Sequence, residues 1–425
     1  MKNSKTKQVF EHTQLQIDEV VFKKSHWEAL GYYNDKHGDK FFTLTPKGVK
    51  FNQYVGVVQV GNLTIEILPK IGQATEKEDK DKWQKVLIDM LRECSWMSIY
   101  THEKAALRYK YNSILEAYLE LFVLECEEIV RIGLIKKYRT VSNNCNALKG
   151  KLIFREQIQT NLIHKERFFT RHQTFDHEHV YNQILLKAIM LIPIISPSPL
   201  LKDRVYKLIL SFPELSDISV NSETFQNLCF NRKTAHYKEA IEIAAMLLLN
   251  FRPDISSGKN HVLAILFDMN DLWEEFIYRQ LYKSKPHDWK IQPQNSKKFW
   301  KLHTQNRAKT VRPDIVIHDQ TLDKKIVIDT KWKIPFKNIP DDADLKQMFV
   351  YNEYWNGTHA LLFYPNAVYS NEPVYYSGTF IKKENALSTH GCGIMKMAVL
   401  NMENTGLDLT IGIRINKFLK KKILI

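Results

Sequence analysis

Two acidic residues and one lysine border two short β-branched runs in the last third of this 425-residue chain. Asp314 follows Arg312 and Pro313 and begins the first run, whereas Asp329 and Lys331 close the second. Two carboxylates on neighbouring strands can hold Mg²⁺, which prefers hard oxygen ligands and which Mn²⁺ can replace. A lysine beside them can orient or deprotonate a water molecule and offset charge on a phosphate. The three residues therefore predict metal-dependent hydrolysis of a phosphodiester bond.

The two runs must form a hairpin to bring these side chains together. A polar turn at residues 320–324 separates them, as is typical of two antiparallel strands. Because side chains alternate along a strand, Asp329 and Lys331 share one face with Val327, and Asp314 can come to lie beside Asp329. An Asp-x-Lys triplet alone is common, and a surface hairpin decorated with charges is the alternative. The Pro-Asp pair about fifteen residues upstream makes the pattern much more specific.

A helix predicted over about residues 261–283 carries a further acid. Asp268, Asp271, Glu275 and Arg279 fall on one polar face at helical spacing, whereas Glu274 lies near the apolar stripe. A carboxylate on an inward stripe is costly unless it is paired or bound to a metal. Glu274 is therefore predicted as a third metal-binding acid. A partly exposed glutamate at the edge of the stripe is the alternative.

A second helix, predicted over about residues 342–355, follows the Asp-x-Lys strand. Asp344, Gln347, Tyr351 and Tyr354 share one of its faces at three- and four-residue steps. Gln347 is predicted to bind the attacking water or a phosphate. Tyr351 is expected to pack, or to bond a neighbour through its hydroxyl.

The charge distribution indicates a polyanionic partner. The formal net charge is +14, and between Leu281 and Arg312 nine basic residues face one acid, with Trp289, Phe299 and Trp300 interleaved. Basic and aromatic side chains together suit a groove that follows a nucleic-acid backbone and stacks bases, although a solvated basic loop is the alternative. The predicted DNA-binding residues are Lys297, Lys298, Lys301, Arg307, Lys309, Arg312 and Lys333.

The chain is long enough for two or three domains. We predict an α+β multidomain protein with a β-rich N-terminal region (residues 1–80), a helical domain (81–255) and a C-terminal α/β domain (256–425). No GxxxxGK[ST] loop occurs in the sequence, so nucleotide hydrolysis by this chain alone is not expected. The N-terminus has no signal-peptide core and no apolar run is long enough to span a bilayer, so a cytoplasmic protein is expected, without a membrane.

These motifs resemble those of McrC, the nuclease subunit of McrBC-type restriction systems, within the PD-(D/E)xK nuclease superfamily. The most specific stretches are residues 267–276 around Glu274, Arg312-Pro-Asp314, Ile328 to Lys333, and Asp344 to Tyr351. Weaker similarity lies in residues 60–70, 148–152 and 176–182. In such proteins these positions match the nuclease helix, the metal-binding acids, the catalytic lysine and the Gln/Tyr helix that follows.

The resemblance implies a restriction-endonuclease-like C-terminal domain that cleaves double-stranded DNA. It also implies an McrB-like AAA+ GTPase hexamer as partner, with GTP bound only by that partner. McrC-like proteins engage the ring through their N-terminal and helical parts and stimulate GTP hydrolysis.

Two other functions are compatible with the residues. A stand-alone PD-(D/E)xK nuclease for repair or junction processing would cut with Mg²⁺ alone. A non-catalytic DNA-binding activator of a motor protein would fit the charge and the central helices, but it would leave the acid-acid-lysine set unexplained.

Overall fold

The computed structural model divides the chain into two compact units, which confirms the predicted α+β multidomain class. One unit contains Thr101–Ile255 and His261–Ile265, and the other contains Lys5–Tyr100 and Leu266–Ile425. The predicted boundaries put residues 1–80 and 256–425 in separate domains, whereas the structure puts most of both ranges in one compact unit. The structure describes residues 5–71, 77–94, 96, 113–252, 261–302, 308–357, 359–381 and 387–423.

Strands and helices alternate in blocks along the chain. The strands are β1 (Lys5–Phe10), β2 (Gln14–Gln16), β3 (Phe42–Thr45), β4 (Gly48–Phe51), β5 (Tyr54–Val60), β6 (Leu63–Leu68), β7 (Lys137–Cys145), β8 (Lys151–Leu152), β9 (Phe168–Asp176), β10 (Phe251–Arg252), β11 (Val262–Asp268), β12 (Trp289–Pro293), β13 (Lys297–Lys301), β14 (Ala308–Val311), β15 (Ile315–Asp319), β16 (Lys324–Thr330), β17 (His359–Asn366), β18 (Val374–Ile381) and β19 (Leu387–Ala398). The α-helices are α1 (Lys24–His37), α2 (Lys77–Glu93), α3 (Ile114–Ile132), α4 (Phe154–Thr160), α5 (Val180–Ile195), α6 (Pro199–Leu210), α7 (Ser222–Gln226), α8 (Lys238–Asn250), α9 (Met269–Lys283), α10 (Asp342–Trp355) and α11 (Ile411–Lys422).

The first unit is built on helices α3, α5, α6 and α8, which pack against one another as the apolar spacing predicted. A three-stranded sheet in the order β7-β9-β8 was not predicted within this helical segment. Strand β7 reads KYRTVSNNC and is largely exposed, so it lacks the apolar alternation that identifies a strand. Its nine antiparallel pairs with β9 hold the sheet through the backbone.

The N-terminal part of the second unit lies in the region predicted to be β-rich and contains a hairpin around Gly61 and Asn62, formed by β5 and β6. Strand β1 pairs in parallel with β6, and a second sheet has the order β2-β4-β3. Helix α1 was not predicted. Its inward face includes the polar residues His26 and Asn34, which obscure the apolar periodicity.

The C-terminal part of the second unit contains a mixed sheet of six strands in the order β12-β15-β16-β17-β19-β18. Strands β15 and β16 form the predicted antiparallel hairpin, and β16 and β17 are parallel. Helix α10 makes the crossover between these parallel strands, because a tight turn cannot join them. Val316 and Val327 on one face of the sheet pack against α10. On α9, the Trp273 ring stacks on Phe363 of β17 at 5.7 Å between centroids.

The predicted helix over residues 261–283 is wrong in its first third. Residues Val262–Asp268 form strand β11, and the helix begins at Met269. Residues 262–265 are all buried, and a short apolar run of this kind cannot be assigned to helix or strand by periodicity alone. Asp268 caps the helix, since its side chain accepts from the backbone N–H of Asn270 at 2.9 Å. It therefore does not belong to the polar face of the helix.

Helices α9 and α11 approach so closely that a glycine is required between them. A Cβ atom at Gly412 would lie 2.0 Å from the carbonyl oxygen of Gln280. We expect Gly412→Ala to lower the free energy of unfolding by about 1–3 kcal/mol, the usual cost of overpacking. Urea unfolding measures this. Gly406→Ala is the control, because its Cβ would meet only the Lys85 side chain, at 3.6 Å; equal effects of both substitutions would contradict the prediction.

Candidate active site

Asp314 and Asp329 lie opposite each other at the open end of the β15–β16 hairpin. Ile315 pairs with Ile328, so the next residues outward on the two strands are these two acids. They share a face with Val316 and Val327, since facing residues of an antiparallel pair point to the same side. This face is the one covered by α10. The hairpin thus brings together the two carboxylates that the sequence singled out.

Asp314 is held in place by Thr330, the residue that follows Asp329. Its Oδ2 accepts hydrogen bonds from the backbone N–H of Thr330 at 2.6 Å and from the Thr330 hydroxyl at 2.9 Å. Burial, and then the nearby carboxylate of Glu274, raise the pKa of Asp314 to about 6 despite these hydrogen bonds. Asp314 is therefore fixed in place but costly to ionise.

Asp329 is almost fully buried, with 1% of its surface exposed. Burial, and then the facing carboxylate of Asp314, raise the pKa of Asp329 to about 7. The ammonium of Lys331 lies 2.7 Å from Asp329 Oδ2 and opposes this rise. Two adjacent acids with raised pKa values can bind a cation in exchange for their protons.

Lys331 is directed into this cluster by contacts on several sides. Besides Asp329, its Nζ lies 3.7 Å from Asp344 Oδ1 and donates to Gln347 Oε1 at 3.4 Å. Burial by itself would lower the pKa of Lys331, but the carboxylates around it outweigh burial and raise the pKa. The lysine is therefore held as an ammonium ion against the acids.

Gln347 is oriented by a short chain of hydrogen bonds. Its Nε2 donates to the Tyr351 hydroxyl at 2.6 Å, and that hydroxyl donates to the backbone carbonyl of Arg312 at 2.9 Å. The Gln347 carbonyl oxygen is thereby turned toward Lys331. Tyr351 was expected to pack or to bond a neighbour through its hydroxyl, and it does both.

Glu274 reaches the edge of this cluster from α9. Its Oε1 accepts from Gln294 Nε2 at 2.9 Å, and the backbone N–H of Gln294 donates to the Asp314 carbonyl at 2.8 Å. Burial is the main cause that raises the pKa of Glu274, and Asp271 and Asp329 add to it. The third predicted acid is therefore close enough to interact electrostatically with the other two.

The donor set suits a hard divalent cation, because its members are carboxylates that raise one another's pKa values. Within the described ranges, however, no three His, Cys, Asp or Glu side chains are arranged as a ready metal cluster. Asp314 and Asp329 form the core of the site. Glu274, bonded to Gln294, would have to shift to complete it.

The predicted DNA-binding residues fall on the β13–β14 hairpin and beside it. Lys297, Lys298, Lys301 and Lys309 are all exposed, and Lys297 also donates to the Tyr354 carbonyl and lies 4.8 Å from the Trp355 ring centre. Exposed Phe299 lines a groove of about 590 Å³ together with Arg312, Gln347 and Tyr351. The groove therefore joins part of the basic hairpin to Gln347, which accepts from Lys331. Arg307 lies outside the described residues.

Lys333, which was predicted to contact DNA, is paired with two carboxylates in the structure. Its ammonium bonds Asp341 and lies 2.7 Å from Asp344 Oδ2. These two carboxylates compete with a phosphate for the lysine, so its predicted contact with DNA would require the pairs to open.

The family of the chain follows from comparison with known sequences. Residues 49–365, well over half of the chain, match the family described as McrBC 5-methylcytosine restriction system component. The chain belongs to this family. No protein of curated function matches it at a significant level.

The solved structures that are similar to the chain include two of McrBC assemblies. One is a chain of the refined half-complex from the tetradecameric assembly of Thermococcus gammatolerans McrB AAA+ hexamers with bound McrC, with a TM-score of 0.70 and 19% identity over 98% of this chain and 100% of that chain. The other is a chain of the cryo-EM structure of the Thermococcus gammatolerans McrBC complex, with a TM-score of 0.50 and 21% identity over 66% of this chain and 88% of that chain. At these identities the similarity establishes the fold.

Two residues of this McrBC-family site were not singled out from the sequence. Asp344 was placed on the face of Gln347 but given no role, although it contacts both Lys331 and Lys333. Thr330 was overlooked, although it donates twice to Asp314. The three-residue step from Asp344 to Gln347 could have identified the first. Nothing in the sequence identifies the second, because its role depends on the register of the hairpin.

None of the helices in the described part of the chain has the length and apolar character that crossing a bilayer requires.

The raised pKa values predict how stability depends on pH without metal. Asp314 and Asp329 have folded pKa values of about 6 and about 7 against an ordinary 3.8, so between about pH 4 and pH 7 the folded chain binds more protons than the unfolded chain. Stability should therefore fall as pH rises through this window. Asp314→Asn should lessen the fall, with a gain over the parent on the order of 1–2 kcal/mol at pH 8 and little gain at pH 4.

Urea unfolding in EDTA at pH 4 to 8 measures this dependence. Glu372→Gln is the control, because the side chain of Glu372 is exposed on a loop away from the cluster. An Asp314→Asn profile that follows the parent at every pH would show that this carboxyl is not strained by its surroundings.

Proposed function

We propose that this chain is the nuclease subunit of an McrBC-type restriction complex and that it hydrolyses DNA phosphodiester bonds with a divalent cation, Mg²⁺ or Mn²⁺. The observation that carries the proposal is the convergence of Asp314, Asp329 and Lys331 at one end of a hairpin. Membership of the McrBC family supports a role in a restriction system.

The arrangement of elements around the hairpin supports a PD-(D/E)xK nuclease. Helix α9 bearing Glu274 precedes the β15–β16 hairpin, and α10 bearing Gln347 follows it on the crossover to the parallel strand β17. The acids, the lysine and the glutamine thus come from separate elements that meet at one sheet end. A site supported by strands and helices can be held more rigidly than one built on loops.

The roles of the side chains follow from their contacts. Asp314 and Asp329, joined by Glu274, would hold the cation, which when bound would acidify a water molecule and offset charge on the phosphate. Lys331 places an ammonium beside the same acids, where it can orient the attacking water or stabilise the phosphate. Gln347 can accept a hydrogen bond from that water, since its carbonyl oxygen already faces Lys331.

The β13–β14 hairpin and the groove beside it would bind DNA. Its exposed lysines can pair with phosphates, and exposed Phe299 and Trp300 offer stacking surfaces. Because Gln347 lines the groove and accepts from Lys331, DNA bound along the groove would bring a backbone phosphate near that lysine.

The partner would be an McrB-like AAA+ GTPase hexamer, and GTP would act only through it. The similar solved structures are of McrB AAA+ hexamers with bound McrC and of an McrBC complex. The sequence has no phosphate-binding loop of its own. The first unit has large exposed apolar side chains that suit docking to a partner protein: Leu148, Phe154, Ile158, Leu162 and Ile163.

Removing the charged group of either Asp329 or Lys331, which form an ion pair in the candidate site, should abolish DNA cleavage. Asp329→Asn and Lys331→Met should each slow cleavage of plasmid DNA by at least about 100-fold, since the first removes a ligand of the cation and the second removes an ammonium that offsets charge on the phosphate. Stimulation of the partner's GTP hydrolysis should persist. Both activities are measured with the McrB-like partner, GTP and Mg²⁺.

Asp323→Asn is the matched control, because this acid lies in the turn of the same hairpin with its side chain 89% exposed. Asp329→Asn protein that cuts at the parent rate would overturn the site assignment. Cleavage by the parent protein with Mg²⁺ alone, without partner or GTP, would instead indicate a stand-alone nuclease.

Charge reversal on the β13–β14 hairpin should weaken DNA binding. For the double variant Lys298→Glu/Lys309→Glu we expect a loss of about tenfold or more in affinity and a smaller dependence of affinity on salt, because phosphate contacts release counterions. Fluorescence anisotropy with duplex DNA in EDTA measures both quantities. Lys24→Glu/Lys36→Glu on α1 makes the same change in net charge at exposed positions, and equal losses for both pairs would argue against a local contact.

A further inference from the structure

A buried carboxylate from the N-terminal strand contacts the residue next to Lys331. Glu11 directly follows β1 and has 1% of its surface exposed. Its Oε1 accepts from the indole Nε1 of Trp332 at 2.7 Å and from the backbone N–H of Lys70 at 2.9 Å. The indole and the carboxylate are 321 positions apart in the sequence, and both belong to the second compact unit.

Trp332 lies between the elements that carry the proposed catalytic groups. Its ring meets Trp273, the residue before Glu274, edge-on at 5.3 Å between centroids. Trp273 in turn stacks on Phe363, whose carbonyl accepts from the backbone N–H of Lys331 at 2.8 Å. The indole therefore touches the helix of Glu274 and lies one residue from Lys331.

The burial of Glu11 carries a desolvation cost that a merely structural contact does not require. Burial raises its carboxyl pKa to about 7, although hydrogen bonds from Lys70 and Trp332 oppose this. An apolar side chain of similar size would avoid the desolvation of a carboxyl group. Carboxyl groups with strongly raised pKa values cluster at functional sites, and Glu11 lies beside the proposed one.

We propose that Glu11 is a positioning residue of the nuclease site: by accepting the Trp332 indole N–H, it fixes the chain just after β16 and so directs Lys331 onto Asp329. This inference rests on the proposed function. Lys331 and Trp332 are consecutive, and each is held by its own set of contacts, the acids for the lysine and Glu11 and Trp273 for the indole. If the indole is released, the lysine can still pair with acids but no longer in one fixed geometry.

The expected consequence is a slower chemical step with little change in DNA binding. A displacement of about 1 Å at a catalytic group can cost about 100-fold in rate. Glu11→Ala removes the acceptor, so we expect a loss of about 10- to 100-fold in the single-turnover rate and a dissociation constant for DNA within about twofold of the parent. Glu11→Gln keeps an oxygen acceptor for both donors and should retain the rate within about threefold.

Trp332→Phe is the complementary variant, because it keeps an aromatic ring against Trp273 and removes only the N–H donor. It should slow cleavage to an extent similar to Glu11→Ala, and the double variant should be no slower than the worse single one, since both substitutions break one interaction. If Glu11→Ala does not fold, Trp332→Phe and Glu11→Gln alone still test the proposal. Full activity of Trp332→Phe would overturn it.

A second readout does not depend on cleavage. In protein labelled with ¹⁵N-tryptophan, the indole N–H resonance of Trp332, assigned by its loss in Trp332→Phe, should shift and exchange faster in Glu11→Ala but not in Glu11→Gln. An unchanged resonance in Glu11→Ala would overturn the proposed contact. Failure of the parent protein to cut DNA would count against the proposed nuclease, whereas cutting at the parent rate by Glu11→Ala would count only against the positioning role.

Discussion

Two carboxylates that repel each other are held side by side at the end of a buried hairpin, and the rest of the site is arranged around that constraint. Neither Asp314 nor Asp329 can move away, because backbone pairing of the strands sets their separation. Lys331 and Thr330 offset part of the repulsion. Without a bound cation such a pair is strained, and the stability of the large mixed sheet keeps the two acids in place. A divalent cation would relieve the repulsion between them.

The second compact unit joins the two ends of the sequence around this hairpin. The N-terminal strands pair among themselves, and the residue that directly follows β1 reaches Trp332 beside the proposed catalytic lysine. The N-terminal segment is thus part of the compact unit that carries the acids. Substitutions in β1 and β6 can therefore affect the site without touching DNA.

Charge on the surface complements charge in the site. The acid cluster would repel DNA by itself, whereas the exposed lysines of the β13–β14 hairpin, whose Phe299 lines the groove, provide the opposite sign. Lys333 illustrates the balance, since it neutralises Asp341 and Asp344 at the rim. Membership of the McrBC family agrees with the proposed role of the chain as the nuclease subunit of a restriction complex.

The sequence by itself determined the hairpin, the following helix and the choice of Asp314, Asp329 and Lys331, because strand alternation and helical spacing are local properties. Only the tertiary structure decided the rest. Strand β11 was taken for helix because a short apolar run buried on all sides has no distinguishing period. Three features depend on strand register and on partners distant in sequence, which no local pattern encodes. They are the exposed sheet of the first unit, the hydrogen bonds from Thr330 to Asp314 and the contact of Glu11 with Trp332.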